Sequence, residues 1–265
     1  MLGAKKAGHA GTLDPMATGV LPVALNKAAK LMPALQSLDK EYDAVMHLHQ
    51  DVSNSELEAA LKKFIGRIKQ KPPVRSAVAR VERERTIFGI KILERKGKDV
   101  TIHVACEAGT YIRKLIHDAG LGIGGSHMAA IRRTKAGPFS LEQCHSIQKI
   151  KLAARSDSCS REQLRNILML PEAAVSHLKA VIVKDSAVRS LCTGAQLYTT
   201  GISKLYSNIK SNELVALLTG KGELIGLGKS AIDSNELRKN KSKRIIVKPV
   251  EIIMDKDTYP NFRAY

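Results

Sequence analysis

From Lys179 onward the chain breaks into short apolar runs, Val181–Val183, Leu214–Leu218, Leu224–Leu227 and Ile245–Val247, separated by clusters of Gly, Ser, Asn and Lys. Runs of this length between turn-forming residues predict strands. Residues 179–253 therefore form a small β-rich domain of about 75 residues, followed by a polar tail over 254–265. The whole chain has 265 residues, which suits one large domain or two. The texture change makes it two.

Residues 1–178 mix helix and strand patterns. Asn26 can cap a helix over Lys27–Gln36, interrupted or kinked by Pro33. Glu41–His49 alternates as a strand does. Ser53 and Glu56 form a capping box for a helix carrying Leu57, Leu61, Phe64 and Ile65. Strands are expected over Thr86–Glu94 and Val100–Glu107, joined at Lys96-Gly97-Lys98. Thr110 opens a further helix, which the cluster Gly120, Gly122, Gly124 and Gly125 breaks. Residues 140–178 read as helices and connections.

The charge narrows the partner. Forty-three Lys and Arg against 25 Asp and Glu leave a formal net charge of +18. Residues 179–265 hold 15 basic and 8 acidic side chains and residues 1–178 hold 28 and 17, so the excess is not confined to a tail. Such a field favours a polyanion, nucleic acid first, for either an enzyme or a scaffold. With no Trp, four Phe and six Tyr, the core is aliphatic and a large base-stacking platform is not expected. Cys106, Cys144, Cys159 and Cys192 form no CxxC pair, which argues against a zinc ribbon and suits a reducing, cytoplasmic setting. No apolar run approaches a membrane span, the opening residues lack a signal-peptide core, and neither a dinucleotide fingerprint nor a Walker loop is present. His47 and His49 share one side of a strand but lack a third ligand nearby, so they read as half-buried strand histidines.

Asp14 lies in the glycine-rich string Gly8-His9-Ala10-Gly11-Thr12-Leu13-Asp14-Pro15. By itself an Asp-Pro pair in a loop reads as a plain turn. The longer string through Met16-Ala17-Thr18-Gly19-Val20-Leu21-Pro22-Val23, however, closely resembles the signature of the TruB/dyskerin family of pseudouridine synthases. The resemblance continues in order through Lys40-Glu41-Tyr42, Gln70-Lys71-Pro72-Pro73-Val74-Arg75-Ser76-Ala77, Glu107-Ala108-Gly109-Thr110-Tyr111-Ile112-Arg113 and His127-Met128-Ala129-Ala130-Ile131-Arg132-Arg133-Thr134. Residues 179–253 resemble a PUA domain, the RNA-binding companion of the family. The wording is nearest to the archaeal and eukaryotic dyskerin-type members, which work in H/ACA guide-RNA particles.

This resemblance implies an α+β fold: a mixed-sheet catalytic domain over 1–178 with Asp14 in its central cleft, and a β-barrel-like PUA domain. It implies isomerisation of uridine to pseudouridine, in tRNA at the TΨC arm or in rRNA under a guide RNA, without cofactor or metal. Asp14 would be the catalytic carboxylate, attacking sugar or base or removing a ribose proton; the residues do not choose among these. Tyr42 would stack on the flipped uracil and Arg113 would pair with Asp14. Tyr111 and Ile131 would be apolar walls. The basic run Lys71, Arg75, Arg80, Arg83 and Arg85 corresponds to the thumb loop that clamps RNA, stiffened by Pro72-Pro73; His9, Arg132 and Arg133 are further expected RNA contacts. Implied partners are tRNA or a guide RNA with its rRNA target, and the small H/ACA proteins; no membrane is implied.

One feature departs from the family. Members carry several tens of residues before the His-x-Gly-Thr-Leu-Asp-Pro string, including a Lys-Pro motif against the active site, whereas here the string begins at Gly8. A fragment, a start placed too late in the gene, and a separate chain supplying the segment all remain open. The alternative function is a non-catalytic RNA-binding scaffold of an H/ACA-type particle.

Overall fold

The computed structural model describes residues 2–71, 81–154, 160–239 and 243–262. In chain order the strands are β1 (Ala7–His9), β2 (Ala17–Gly19), β3 (Val23–Leu25), β4 (Lys40–Leu48), β5 (Gly66–Gln70), β6 (Arg83–Lys96), β7 (Asp99–Cys106), β8 (Ser126–Ala136), β9 (Phe139–Ser140), β10 (Ala180–Val183), β11 (Leu197–Tyr198), β12 (Ile202–Leu205), β13 (Leu214–Thr219), β14 (Leu224–Ser230) and β15 (Ile245–Ile252). The helices are α1 (Met32–Gln36), α2 (Asn54–Lys62), α3 (Ile112–Leu121), α4 (Ile147–Ala153), α5 (Ser160–Ile167), α6 (Asp185–Cys192) and α7 (Ser234–Lys239). They build an α+β fold of two compact units, one formed by residues 9–22 and 33–146, the other by residues 1–8, 23–32 and 147–265.

The first unit is a mixed sheet in the order β2-β8-β4-β7-β6-β5, with β9 on β8. β2 runs parallel to β8, and the pairs β4–β8, β4–β7 and β6–β7 are antiparallel. Alternation places Ala44, Met46 and Leu48 of β4 beside Val100, Ile102 and Val104 of β7 on one face. Helical spacing then brings Leu57 and Leu61 of α2 and Ile112, Leu115 and Ile116 of α3 onto that face. Each of the larger side chains among them contributes roughly 1.5–3 kcal/mol by burial. The α2 start is the expected capping box: Glu56 N–H donates to Ser53 Oγ at 3.3 Å and Ser53 N–H donates to Glu56 Oε2 at 3.0 Å.

Two helix starts differ from expectation. Asn26 does not cap a helix; it adopts φ +52° and its Oδ1 accepts the Lys5 N–H at 3.0 Å. A 3-10 helix spans Asn26–Leu31, and only Met32–Gln36 is α-helical, with Pro33 in the first turn where its missing N–H is harmless. Thr110 donates its hydroxyl to the Glu107 carbonyl at 2.7 Å, and the N-cap of α3 is Tyr111.

The second unit holds a sheet in the order β11-β15-β14-β13-β10-β12, in which β10 and β13 are parallel. Its edge strands β11 and β12 are separated by the 3-10 turn Thr199–Gly201 alone, so the sheet curls toward a barrel. Val181, Val183, Val215, Leu217, Ile225 and Val247 fill it, closed by Val188 and Leu191 of α6. Residues 23–32 join this unit: Lys30 Nζ donates to the Ile252 carbonyl at 3.2 Å and pairs with Glu251 at 3.3 Å, and Lys27 pairs with Asp255. Compactness thus divides the chain differently from the texture change at Lys179. The expectation of a bare polar tail is corrected at Tyr259, which is buried in this core and donates its hydroxyl to Glu223 Oε2 at 2.5 Å. Among the described residues no helix is long and apolar enough to cross a membrane.

Lys40, the first residue of β4, is buried and closes the end of α1, donating to the carbonyls of Gln36 at 2.7 Å, Leu35 at 3.4 Å and Leu38. Burial, and after it the charge of Arg133, lower its pKa from 10.5 to about 8. Between those values the unfolded chain holds a proton that the folded chain has released, so this group makes folding more favourable as pH rises. The stability difference between wild type and Lys40→Met should therefore shift toward wild type from about pH 7.5 to 9.5. Urea unfolding at each pH reads this; a constant difference would mean that Lys40 keeps its ordinary pKa.

Candidate catalytic site

Asp14 begins a tight turn. The Ala17 N–H donates to the Asp14 carbonyl at 2.8 Å, with Pro15 and Met16 at the corner. Proline presets φ at the second position of such a turn, and aspartate is favoured at the first. The Asp14 carboxylate is not used by its own turn. Its Oδ2 instead accepts Nη2 of Arg113, in the first turn of α3, at 2.8 Å. Both side chains are at least half exposed. A pair so open to water adds at most about 1 kcal/mol of stability, so its consequence is a carboxylate aimed by a cation.

The loop carrying Asp14 is closed at its base and anchored on β8. Ala10 N–H donates to the Pro22 carbonyl at 3.0 Å, and Val20 N–H to the Arg133 carbonyl at 2.9 Å. Gly19 has φ +104° and lies so close to β8 that an added Cβ would sit 2.1 Å from the Arg133 carbonyl oxygen, so only glycine fits.

Tyr42 stands on β4 opposite Arg133 of β8, partly buried against the core. Burial raises its phenol pKa and the Asp14 charge adds to the rise, while the Arg133 charge opposes it. The phenol therefore stays protonated at neutral pH. Ile131, 8% exposed, is in the core between Ala17 of β2 and Ala44 of β4. Tyr111 is held through its backbone: its N–H donates to Gln70 Oε1 at 2.9 Å and its carbonyl accepts Gln70 Nε2 at 3.2 Å. Asp14 and Arg113 thus meet at one place, and Tyr42 lies near enough for the Asp14 charge to act on its phenol, with Ile131 on β8 and Tyr111 at the start of α3.

The expected RNA contacts divide. His9, Lys71, Arg83 and Arg132 are exposed. Arg75 and Arg80, with Pro72-Pro73, lie outside the described residues. Arg85 does not lie open on a basic face: it packs against Gly109, pairs with Glu107 at 3.7 Å and donates to the Glu84 carbonyl at 2.7 Å. Arg133 is corrected outright. It is 2% exposed, with Nε donating to the Val20 carbonyl at 2.7 Å and Nη2 to the Gly11 carbonyl at 2.9 Å. On a strand two consecutive arginines point to opposite faces, so one of Arg132 and Arg133 had to turn inward. That alternation was the available signal. Gln70 and Lys40 are also buried polar groups of this region, and no local sequence pattern marks them.

Residues 1–112 match the model of the TruB family pseudouridylate synthase N-terminal domain, residues 113–176 the tRNA pseudouridylate synthase B C-terminal domain, and residues 179–253 the PUA domain. The chain is 45% identical to a probable tRNA pseudouridine synthase B of Methanosarcina barkeri, over 98% of this chain and 78% of that protein. It is 44% identical to a protein of the same description from Pyrococcus furiosus, over 98% and 77%. Among solved structures, an H/ACA RNP bound to a substrate RNA containing 2'-deoxyuridine superposes with a TM-score of 0.89 at 40% identity, over 98% of this chain and 80% of that one. A Cbf5-Nop10-Gar1 complex gives a TM-score of 0.89 at 43% identity, with the same coverage. The two-unit fold, the ordered motifs and these similarities together make the chain a member of the TruB family of pseudouridine synthases.

Proposed function

We propose that this chain isomerises uridine to pseudouridine in structured RNA, with Asp14 as the catalytic carboxylate. The observation that carries the reading is the 2.8 Å pair of Asp14 and Arg113 beside the protonated Tyr42. The reaction breaks the bond from ribose C1′ to uracil N1, turns the base and forms a bond from C1′ to C5; the proton leaving C5 is matched by one gained at N1. No oxidant or second substrate is consumed. Arg113 keeps the Asp14 carboxylate ionised and directed, Tyr42 offers a ring to a flipped uracil, and Ile131 and Tyr111 confine the base. Asp14 serves as nucleophile or as base in this scheme.

The division of labour follows the two patterns of sequence. Residues 1–178 supply the chemistry and residues 179–253 hold RNA by shape and backbone, since that part is basic, aliphatic and broken by glycine. The exposed Lys71, Arg83 and Arg132 contribute phosphate contacts. The partners we infer are a guide RNA with its rRNA target and the small H/ACA proteins, because solved relatives are found in such assemblies; tRNA, named for the sequence relatives, is the second substrate. The thiols of Cys106, Cys144 and Cys192 are unpaired, which suits the reducing cytoplasm.

Asp14→Asn preserves size and removes the carboxylate. It should abolish pseudouridine formation, read by carbodiimide primer extension, while RNA affinity stays within a few-fold of wild type. Turnover near the wild-type rate would rule out the assignment.

Guide RNA and small H/ACA proteins should raise the rate on an rRNA target strongly over that of the chain alone. Efficient, site-selective modification of bare tRNA by the chain alone would instead select the stand-alone tRNA enzyme. Tight RNA binding with no product under either condition would favour the scaffold.

A further inference from the structure

Arg133 is a buried cation in an unusual setting. Among the described residues it forms no ion pair with a carboxylate. Its guanidinium donates instead to two backbone carbonyls, Val20 at 2.7 Å and Gly11 at 2.9 Å, and its charge acts on the Tyr42 phenol across the strand pair. A buried charge left without an opposite charge is costly, and a hydrophobic side chain of similar volume would avoid that cost. What those bonds join is informative. Gly11 and Val20 bracket the loop that carries Asp14, and Tyr42 is the aromatic residue beside it. A planar fork with fixed donors can hold two loop ends in one geometry; the compact ammonium of lysine cannot.

We propose that Arg133 is a positioning residue for the reaction: it clamps both ends of the Asp14 loop against β8, opposite Tyr42, so that the carboxylate and the ring face the substrate uridine in register. The proposal rests on the pseudouridine synthase reading and adds a residue that touches neither RNA nor reacting atoms. Its burial separates this role from the phosphate contact expected of an exposed arginine. The charge on nearby Lys40 does not substitute for it, because Lys40 directs its ammonium to the α1 carbonyls.

Arg133→Lys in the full chain tests this, with Arg133→Gln as a second variant that has no charge to bury. The single-turnover rate at saturating RNA should fall roughly 10- to 100-fold, as for a modest misplacement of a catalytic group. RNA affinity should stay within about threefold of wild type. Amide hydrogen exchange should quicken at Ala10, Ala17 and Val20 and remain unchanged in the β4–β7 ladder. This exchange pattern needs no activity, so it tests the clamp even if the uridine isomerisation reading fails; loss of that reading would show instead as an inactive wild type. A folded Arg133→Lys with a rate within twofold of wild type would overturn the proposal. So would a loss of rate matched by an equal loss of RNA affinity, and so would failure of both variants to fold, which would make Arg133 a determinant of global stability.

Discussion

The guanidinium of Arg133 is the point on which the catalytic unit turns. β8 is a central strand, bonded to β4 on one side and to β2 on the other. An inward arginine on such a strand must find acceptors or neutralise, and arginine does not deprotonate. It finds them in the carbonyls of Gly11 and Val20, so satisfying one buried charge orders the loop that carries Asp14. Gly19 lets that loop lie against the β8 backbone, and Lys40 relieves its own burial by closing α1 on the other side. Polar satisfaction in the interior thereby sets the shape of the surface.

The pair proposed to carry the chemistry is itself loosely held. Asp14 and Arg113 are both open to water, where an ion pair contributes little to stability. Their alignment comes from what lies beneath them: a closed turn under Asp14 and the start of α3 under Arg113, fixed by the Gln70 clamp on Tyr111. In the role proposed for it, this arrangement keeps the carboxylate and the guanidinium accessible while their supports are packed. Functional loops on rigid sheets follow the same logic elsewhere.

Several parts were legible in the sequence because local physics specifies them. The Ser53/Glu56 capping box, the alternation of β4 and the apolar runs at 181–183, 214–218, 224–227 and 245–247 each depend on neighbours within a few residues. The ordered motifs carried the family, and with it the roles proposed for Asp14, Tyr42, Tyr111, Arg113 and Ile131. Less was legible where distant partners intervene. Asn26 resembles a cap until the Lys5 N–H claims its side chain, and α6 is too short for its Val188/Leu191 spacing to stand out. Tyr259 looks like part of a polar tail until Glu223 accepts its hydroxyl within the second core.

The basic residues show the division most plainly. Sequence alone determined their number, the net charge of +18 and hence the affinity for a polyanion, because charge is additive and needs no fold. Which arginines face that polyanion was decided by tertiary structure. Arg132 and Arg133 are adjacent and chemically identical, yet strand alternation sends one to solvent and the other into the interior, to carbonyls more than a hundred residues away in sequence. Direction along a strand is a local property; which of its two faces becomes the core is settled only when the sheet closes over its helices.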